Sequence, residues 1–374
     1  MEQHIIHTYK ELDEWIESNS CHRIMLVCDQ AICFLESFNK YLKTLEQHNI
    51  KIVRFSDFQP NPQYESVVRG VRLYKHESCD SIVAVGGGSA IDVAKCIKLF
   101  SSANGEGNDG EFLRQEIVPN DIPFLVMPTT AGTGSEATRF AVIYYQDVKQ
   151  SVTDESFIPK TVFMDAGALK SLPVYQRKAT MLDAFCHAIE SFWSVNSDES
   201  SRKYSREAII LIFKHMDGYL DNTEEGNQGM LKAAYIAGKA INISQTTAGH
   251  AMCYKLTGMF GIAHGHAAFL CNRILFPWML DNVDLCTDPR GKSFLLKVFN
   301  QIAEAMQCDT PTDAKKKIED LFVKLNLSVP TADESQFEIL KKSVNPTRLK
   351  NHPIALTEET IDMLYRKILN GDKS

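Results

Sequence analysis

The ten cysteines, at positions 21, 28, 33, 79, 96, 186, 253, 271, 286 and 308, include no C-x-x-C pair. That absence excludes a zinc ribbon and a dithiol redox motif. No apolar run is long enough to span a bilayer. The opening segment, MEQHIIHTYKELDEW, is polar and lacks a signal-peptide apolar region. Both absences point to a cytoplasmic protein with no membrane partner. Cys28 and Cys96 lie inside apolar runs, as buried free thiols do in a reducing compartment. There is no Lys/Arg run and no interleaving of basic with aromatic residues, and the net charge is -7. Nucleic acid is therefore not the expected partner. Internal repeats and low-complexity tracts are also missing.

What is present is an ordinary globular composition, 44% hydrophobic and 23% charged, over 374 residues. That length is enough for two domains with real cores. Residues 24–27 (IMLV) read as a buried strand ending at Cys28-Asp29-Gln30. An acidic residue just past such a strand can accept hydrogen bonds from a dinucleotide's ribose hydroxyls and repel a 2′-phosphate. It can equally cap a helix, so Asp29 carries both readings. Residues 31–49 read as a helix, 51–55 as a strand, Gln59-Pro60-Asn61-Pro62 as a turn and 64–76 as an amphipathic helix.

The run SIVAVGGGSAIDVAKCIKLF then predicts a strand over 81–85, a turn at Gly86-Gly87-Gly88-Ser89 and a helix over 90–100. Strand, glycine turn and helix can cradle a pyrophosphate: glycine admits close approach, and the helix start offers free N–H groups. The turn is neither G-x-G-x-x-G nor a Walker loop, and a purely structural turn is the alternative. Asp92 and Lys95 read as supports of the loop or of the first helical turn. Residues 101–120 read as a polar surface loop, and 121–127 as a strand leading into PTTAGTGSEAT. That small-residue loop, with Thr129, Thr130, Thr133 and Ser135, suits contact with a ribose or phosphate. Residues 141–145 and 160–165 read as further strands, with a hairpin at Gln146-Asp147 and Lys149 between them. Beyond about 166 helical periodicity dominates. The chain is thus read as an α/β domain over 1–165, with a largely parallel sheet, and an all-α domain over 166–374.

The richest stretch in candidate metal ligands is GHAMCYKLTGMFGIAHGH, which holds His250, Tyr254, His264 and His266. Upstream, TMLDAFCHAIESFW reads as a helix with Asp183 and His187 four apart, hence on one face. One divalent ion held by Asp183, His187, His250 and His264 is the central expectation. The plain alternative is a set of hydrogen-bonded core histidines. Glu190, seven after Asp183, competes as a ligand and otherwise reads as an acceptor behind the ligands or a surface charge.

GGGSAIDVAK, PTTAGTGSEAT, DAFCHAIESFWS and GHAMCYKLTGMFGIAHGH, in that order, resemble the iron-containing alcohol dehydrogenase family over most of the chain. The resemblance implies an N-terminal Rossmann-like domain, a helical C-terminal domain and an active site in the cleft between them. It implies metal- and NAD(P)-dependent interconversion of alcohols with aldehydes or ketones. The implied metal ligands fall on Asp183, His187, His250 and His264, for Fe(II) or Zn(II). The implied nucleotide residues are Asp29, Asn61, Gly86, Gly87, Gly88, Ser89, Thr129, Thr130, Thr133 and Lys149. Asp29 matches a residue that favours NAD(H), without excluding NADP(H). Many members carry a proton-relaying histidine where this chain has Tyr254, which leaves Tyr254 and His266 as candidates for that role. A homo-oligomer, a dimer by analogy, is also implied.

The runs SEATRFAVIYY and DAFCHAIESFWSVNSDES look like members that reduce phosphonoacetaldehyde to 2-hydroxyethylphosphonate. Such an anionic small molecule needs a cation, for which Arg139 is the candidate; a salt bridge is its other reading. The alternatives are a general aliphatic alcohol or diol dehydrogenase and a dehydroquinate-synthase-like lyase, which would consume no net NADH.

Overall fold

The computed structural model describes residues 3–344 and 349–370. It divides into two compact units. One comprises the chain to Thr130 together with Gly134–Leu172, and the other Ala131–Thr133 together with the chain from Pro173 onward.

The first unit is built on a six-stranded sheet: β1 (His4–Ile6), β2 (Arg23–Cys28), β3 (Lys51–Phe55), β4 (Ser81–Gly86), β5 (Phe124–Pro128) and β8 (Thr161–Phe163). The order is β1-β8-β5-β4-β2-β3, and every pairing within it is parallel. The connecting helices include α1 (Tyr9–Ser18), α2 (Glu36–Gln47), α3 (Tyr64–His76), α4 (Gly88–Phe100) and the short α5 (Glu111–Arg114). Alternate strand residues face opposite layers. Met25, Val27, Ile82, Ala84 and Val126 pack with α3 and α4 residues such as Val67, Val71, Ile91 and Ile97. Ile24, Leu26, Val83, Val85, Leu125 and Met127 pack with α1 and α2 through Leu12, Ile16, Phe38 and Leu42. Coverage on both faces is why β4 reads as an unbroken apolar run rather than an alternation. A separate antiparallel hairpin joins β6 (Phe140–Tyr145) to β7 (Val148–Thr153).

The chain runs from β2 outward to β3, then returns to place β4 on the other side of β2. This reversal makes the β2/β4 boundary a topological switch point, where the connections leave to opposite faces and open a crevice past the strand ends. Asp29 follows β2 there, and the glycine turn follows β4.

The second unit is helical: α6 (Val174–Trp193), α7 (Glu199–Leu220), α8 (Glu224–Ser244), α9 (Ala248–Phe260), α10 (His264–Asp281), α11 (Lys292–Ala305), α12 (Pro311–Leu325), α13 (Glu334–Lys342) and α14 (Glu358–Asn370). None of the helices among the described residues is long and apolar enough to cross a membrane.

Several details depart from the sequence reading. β1 and α1 lie in a segment for which no element is predicted, although Thr8 and Glu11 form a capping box that marks the helix start. The helix predicted over 31–49 breaks at Leu35, because Asp29 first caps a 3-10 turn over Gln30–Phe34. The polar loop 101–120 contains α5. The strand predicted over 160–165 stops at Phe163, since Asp165 caps the next turn by accepting from Gly167 N. The strand read over 121–127 starts only at Phe124, after Pro123.

Candidate functional site

At the switch point Asp29 fills the capping reading and also reaches the glycine turn. Its Oδ1 accepts from Ala31 N at 2.9 Å, which is the helix cap, and its Oδ2 faces Gly87 N at 3.4 Å. A Cβ on Gly86 would lie 2.6 Å from Ala90 Cβ and 2.8 Å from Asp29 Oδ2, so the turn demands glycine there. Gly87 is the N-cap of α4 and Gly88 and Ser89 begin the helix, with no side chain capping it. The first-turn amides of α4 therefore stand ready for an anion. β5 ends beside this turn, where Thr129 N donates to Gly86 O at 3.0 Å and Thr130 lies in van der Waals range of the Gly87 position.

The small-residue loop does not act as one piece. Thr129 and Thr130 stay with the sheet, whereas Ala131–Thr133 belong to the helical unit. Gly132 presses on α6 so closely that a Cβ would lie 2.8 Å from Thr180 O. Beyond it, the loop is pinned by Lys95, whose buried ammonium donates to the carbonyls of Ser135 (2.7 Å), Thr138 (2.8 Å) and Phe140 (2.8 Å). Asp92 accepts from Ser135 Oγ at 2.7 Å and Val142 N at 2.9 Å. Both residues act as supports, but of the segment at 135–142 rather than of the glycine turn that their reading named. Burial lowers Lys95 to about 8 and raises Glu136, in the same loop, to about 7. Lys149 lies on β7 opposite Tyr144, and its charge helps to offset the burial that raises Asp92. Asn61 sits exposed in the turn before α3, with φ of 59°. Arg139 is ion-paired to Glu155, with Nη1 to Oε1 at 2.7 Å.

The string Gly105-Glu-Gly-Asn-Asp-Gly110 matches the dinucleotide fingerprint by spelling alone. It follows a helix rather than a strand, and Gly107 N is occupied by Glu111 Oε2 at 2.8 Å. By context rather than spelling, the strand-turn-helix at 86–89 is the one of the two that suits a cradle.

In the helical unit three elements bring four side chains together. Asp183 and His187 are one turn apart on α6, His250 is in the first turn of α9, and His264 opens α10. All three histidines point Nε2 at one oxygen. Asp183 Oδ1 lies 3.6 Å from His250, 3.9 Å from His264 and 4.0 Å from His187. None of these separations is a hydrogen bond. Asp183 Oδ1 and His250 Nε2 are buried without a hydrogen-bond partner among the described residues, a costly arrangement unless something else satisfies them. The ligand atoms of Asp183, His187 and His250 all lie within 4.8 Å of one another. Bonds of about 2.1 Å in a tetrahedral shell put donors about 3.4 Å apart, close to the observed spacings. One carboxylate and three imidazoles suit Fe(II) or Zn(II), so the residues fit a divalent metal.

Glu190 organises this cluster from behind and is neither a ligand nor a surface charge. Its Oε1 takes His250 Nδ1 at 2.6 Å and Asn272 Nδ2 at 2.7 Å. Its Oε2 takes Thr247 N at 2.7 Å, Thr247 Oγ1 at 2.9 Å and His250 N at 3.3 Å. One carboxylate thus caps α9 and fixes the tautomer that leaves the His250 Nε2 lone pair facing Asp183. Burial alone would raise Glu190, yet His250 and the donors from Asn272 and Thr247 hold it down to about 2. Burial opposes charge on His250, but Glu190 and Asp183 push it up to about 10. Burial likewise works against the Asp183 carboxylate, and the surrounding histidines hold it below the usual range. His187 is lowered to about 4 by burial. Two buried carboxylates beside one imidazolium leave these groups with a net negative charge, which favours a bound cation.

Two glycines permit the convergence. A Cβ on Gly265 would lie 2.0 Å from Ala179 O on α6, and one on Gly249 would lie 2.3 Å from Asn272 Oδ1. Gly265, Asn272 and Thr247 are absent from the sequence reading; the glycine between His264 and His266 is the signal that could have revealed the close helix approach. Tyr254 is half-buried on α9, with its ring 5.4 Å from that of His264. His266 lies on α10 with its ring fully buried and Nδ1 3.0 Å from Tyr175 Oη; it is not a solvated loop residue.

The family model described as "Iron-containing alcohol dehydrogenase" matches residues 5–166, and "Fe-containing alcohol dehydrogenase family, C-terminal" matches residues 178–369. Alcohol dehydrogenase 4 of Schizosaccharomyces pombe is 28% identical over 372 residues, covering 96% of this chain and 85% of that protein. The NAD-dependent methanol dehydrogenase of Bacillus methanolicus is 29% identical over 272 residues, covering 72% of this chain and 70% of its own length. The fold is shared with sulfoacetaldehyde reductase from Bifidobacterium kashiwanohense, solved in complex with NAD+, at a TM-score of 0.86 and 23% identity, covering 100% and 98% of the two chains. With both halves matched in order by its models, this chain belongs to the iron-containing alcohol dehydrogenase family and is an oxidoreductase of that type.

Proposed function

We propose that this enzyme reduces an aldehyde to a primary alcohol with NADH, and that its substrate is phosphonoacetaldehyde, giving 2-hydroxyethylphosphonate. The observation that carries the chemistry is the convergence of three imidazole Nε2 atoms on the unpartnered Asp183 Oδ1. Asp183, His187, His250 and His264 hold the metal, Fe(II) or Zn(II), which supplies Lewis acidity toward a carbonyl oxygen when bound. Glu190 keeps His250 in the binding tautomer. The α4 amides and residues 86–89 hold the pyrophosphate, with Thr129, Thr130, Thr133, Asn61 and Lys149 as further nucleotide contacts. Asp29 Oδ2 accepts from the ribose and disfavours a 2′-phosphate, so NAD(H) is preferred over NADP(H). A bound nicotinamide would supply the hydride for the carbonyl carbon, and the protein's part would be to position the reactants and exclude water. Tyr254, whose ring lies 5.4 Å from that of His264, carries the side-chain hydroxyl we place on the proton path.

The phosphonate reading rests on the resemblance of residues 135–145 and 183–200 to phosphonoacetaldehyde reductases, and is supported by the likeness in fold to a reductase of another anionic aldehyde. Arg139 serves the anion only by exchanging Glu155 for the phosphonate. The lyase alternative loses its ground with the family match. A general alcohol or diol dehydrogenase remains the competing substrate reading, favoured by the alcohol dehydrogenases among the relatives. NADH absorbance with Fe(II)-loaded protein separates them. Strong turnover of phosphonoacetaldehyde over propanal, lost in Arg139→Ala, is expected. Turnover of propanal alone would discard the phosphonate.

A further inference from the structure

His264 is the most exposed of the four proposed ligands, and Cys253 Sγ of α9 lies 3.7 Å from its Nδ1. The His264 side chain is 37% exposed, against 5% for Asp183, 8% for His187 and 2% for His250. It is the first residue of α10, and α9 has already ended at Gly261, whose φ is 65°. No preceding helical turn holds it in place. We infer that Tyr175 and His266 are positioning residues that lock His264 in its ligating place; this rests on the ligand set proposed above.

The lock is visible atom by atom. Ala263 N–H, one residue before His264, donates to Tyr175 Oη at 3.0 Å. The same hydroxyl lies 3.0 Å from His266 Nδ1, two residues after His264. Tyr175 is the second residue of α6, the helix that carries Asp183 and His187. One phenol oxygen therefore fastens the chain on both sides of His264 to the helix holding two other ligands. The His266 ring meets the Tyr175 ring edge-on, with centroids 5.9 Å apart at 81°. Its other nitrogen, Nε2, is enclosed and has no hydrogen-bond partner among the described residues. Between the two histidines Gly265 presses on the α6 backbone. A proton relay through His266 needs a nitrogen open to solvent or substrate, and here the ring is 0% exposed. The geometry suits a strut rather than a shuttle.

The test is the metal dissociation constant of the full, metal-stripped chain, measured with Zn(II) or Co(II) against a competing chelator. The melting temperature of the stripped protein is the control. Tyr175→Phe removes the shared oxygen and is expected to weaken binding about 10-fold or more, the scale seen when groups orienting a ligand are lost, without changing the control. His266→Leu should lose as much, and His266→Asn, whose Oδ1 replaces Nδ1 as acceptor, should keep most of the affinity. The double variant Tyr175→Phe/His266→Leu should bind no more weakly than either single one, because both break one linkage. Wild-type affinity in Tyr175→Phe, with metal lost in His264→Ala, overturns the lock. Undiminished affinity in His264→Ala instead overturns the ligand set. If Tyr175→Phe also lowers the control, the asparagine rescue decides: its failure overturns the proposal.

Discussion

At residues 86–89 the groups proposed to meet a ligand are main-chain amides, held by glycines and by the sheet register beneath them. At Asp183, His187, His250 and His264 they are side-chain atoms from three helices, aligned by Glu190 and by close helix contacts. The first arrangement comes from a backbone that any compatible strand-turn-helix reproduces, so most single side chains there matter little. The second depends on sub-ångström agreement among side chains far apart in sequence, so single atoms matter greatly. The contrast predicts an unequal sensitivity to substitution, steep in the helical unit and shallow in the sheet unit.

The steepest break is Gly265→Ala. The new methyl meets the Ala179 carbonyl, and forcing α10 away from α6 costs about 3 kcal/mol, the upper part of the range for overpacking. A large fall in melting temperature and loss of bound metal are expected by calorimetry and metal analysis; unchanged values would refute the close approach. Next comes Glu190→Gln. It frees the His250 tautomer and weakens the α9 cap, and should lower metal affinity about 10- to 100-fold in a chelator competition. Undiminished affinity would show that His250 needs no such orientation. In the sheet unit, Gly86→Ala sets its methyl against Ala90 and Asp29, and should weaken NADH binding in a fluorescence titration while sparing metal content. Metal loss there would erase the contrast between the two regions. Asp29→Ala should do less still, improving NADPH use relative to NADH by about tenfold, or 1.4 kcal/mol, in paired kinetic assays. An unaltered ratio would remove Asp29 from ribose recognition.

The smallest effect concerns pH. Glu136 is raised by burial from an ordinary carboxyl to about 7. Between its unfolded value and about 7 the folded state binds more protons than the unfolded state, so this group's contribution falls as pH rises through that window. Glu136→Gln should therefore gain melting temperature relative to wild type on going from pH 5 to pH 8. An equal difference at both pH values contradicts that ionisation.

Legibility followed the same division. Strands 51–55 and 81–85, helix 64–76 and the glycine turn were readable because continuous apolar runs and a helical stripe are local signals. The ligand quartet was readable because Asp183 and His187 share a helix face and the other histidines crowd one stretch. Glu190 was visible as a residue but not as the cap of α9, because its partners Thr247, His250 and Asn272 lie on other elements. Lys95 was readable as a support but not by its target, since a lysine's reach to carbonyls some forty residues away leaves no periodic trace. Thr133 sat in one motif with Thr129, yet the chain crosses to the helical unit between them.

The proposed chemistry depends on one metal held by four residues. Metal content per chain, measured for wild type and for Asp183→Ala, His187→Ala, His250→Ala and His264→Ala after dialysis against dilute chelator, tests it most directly. One equivalent in wild type and a marked loss in every variant that still folds is the predicted result. A folded variant that retains a full equivalent would contradict the site as described.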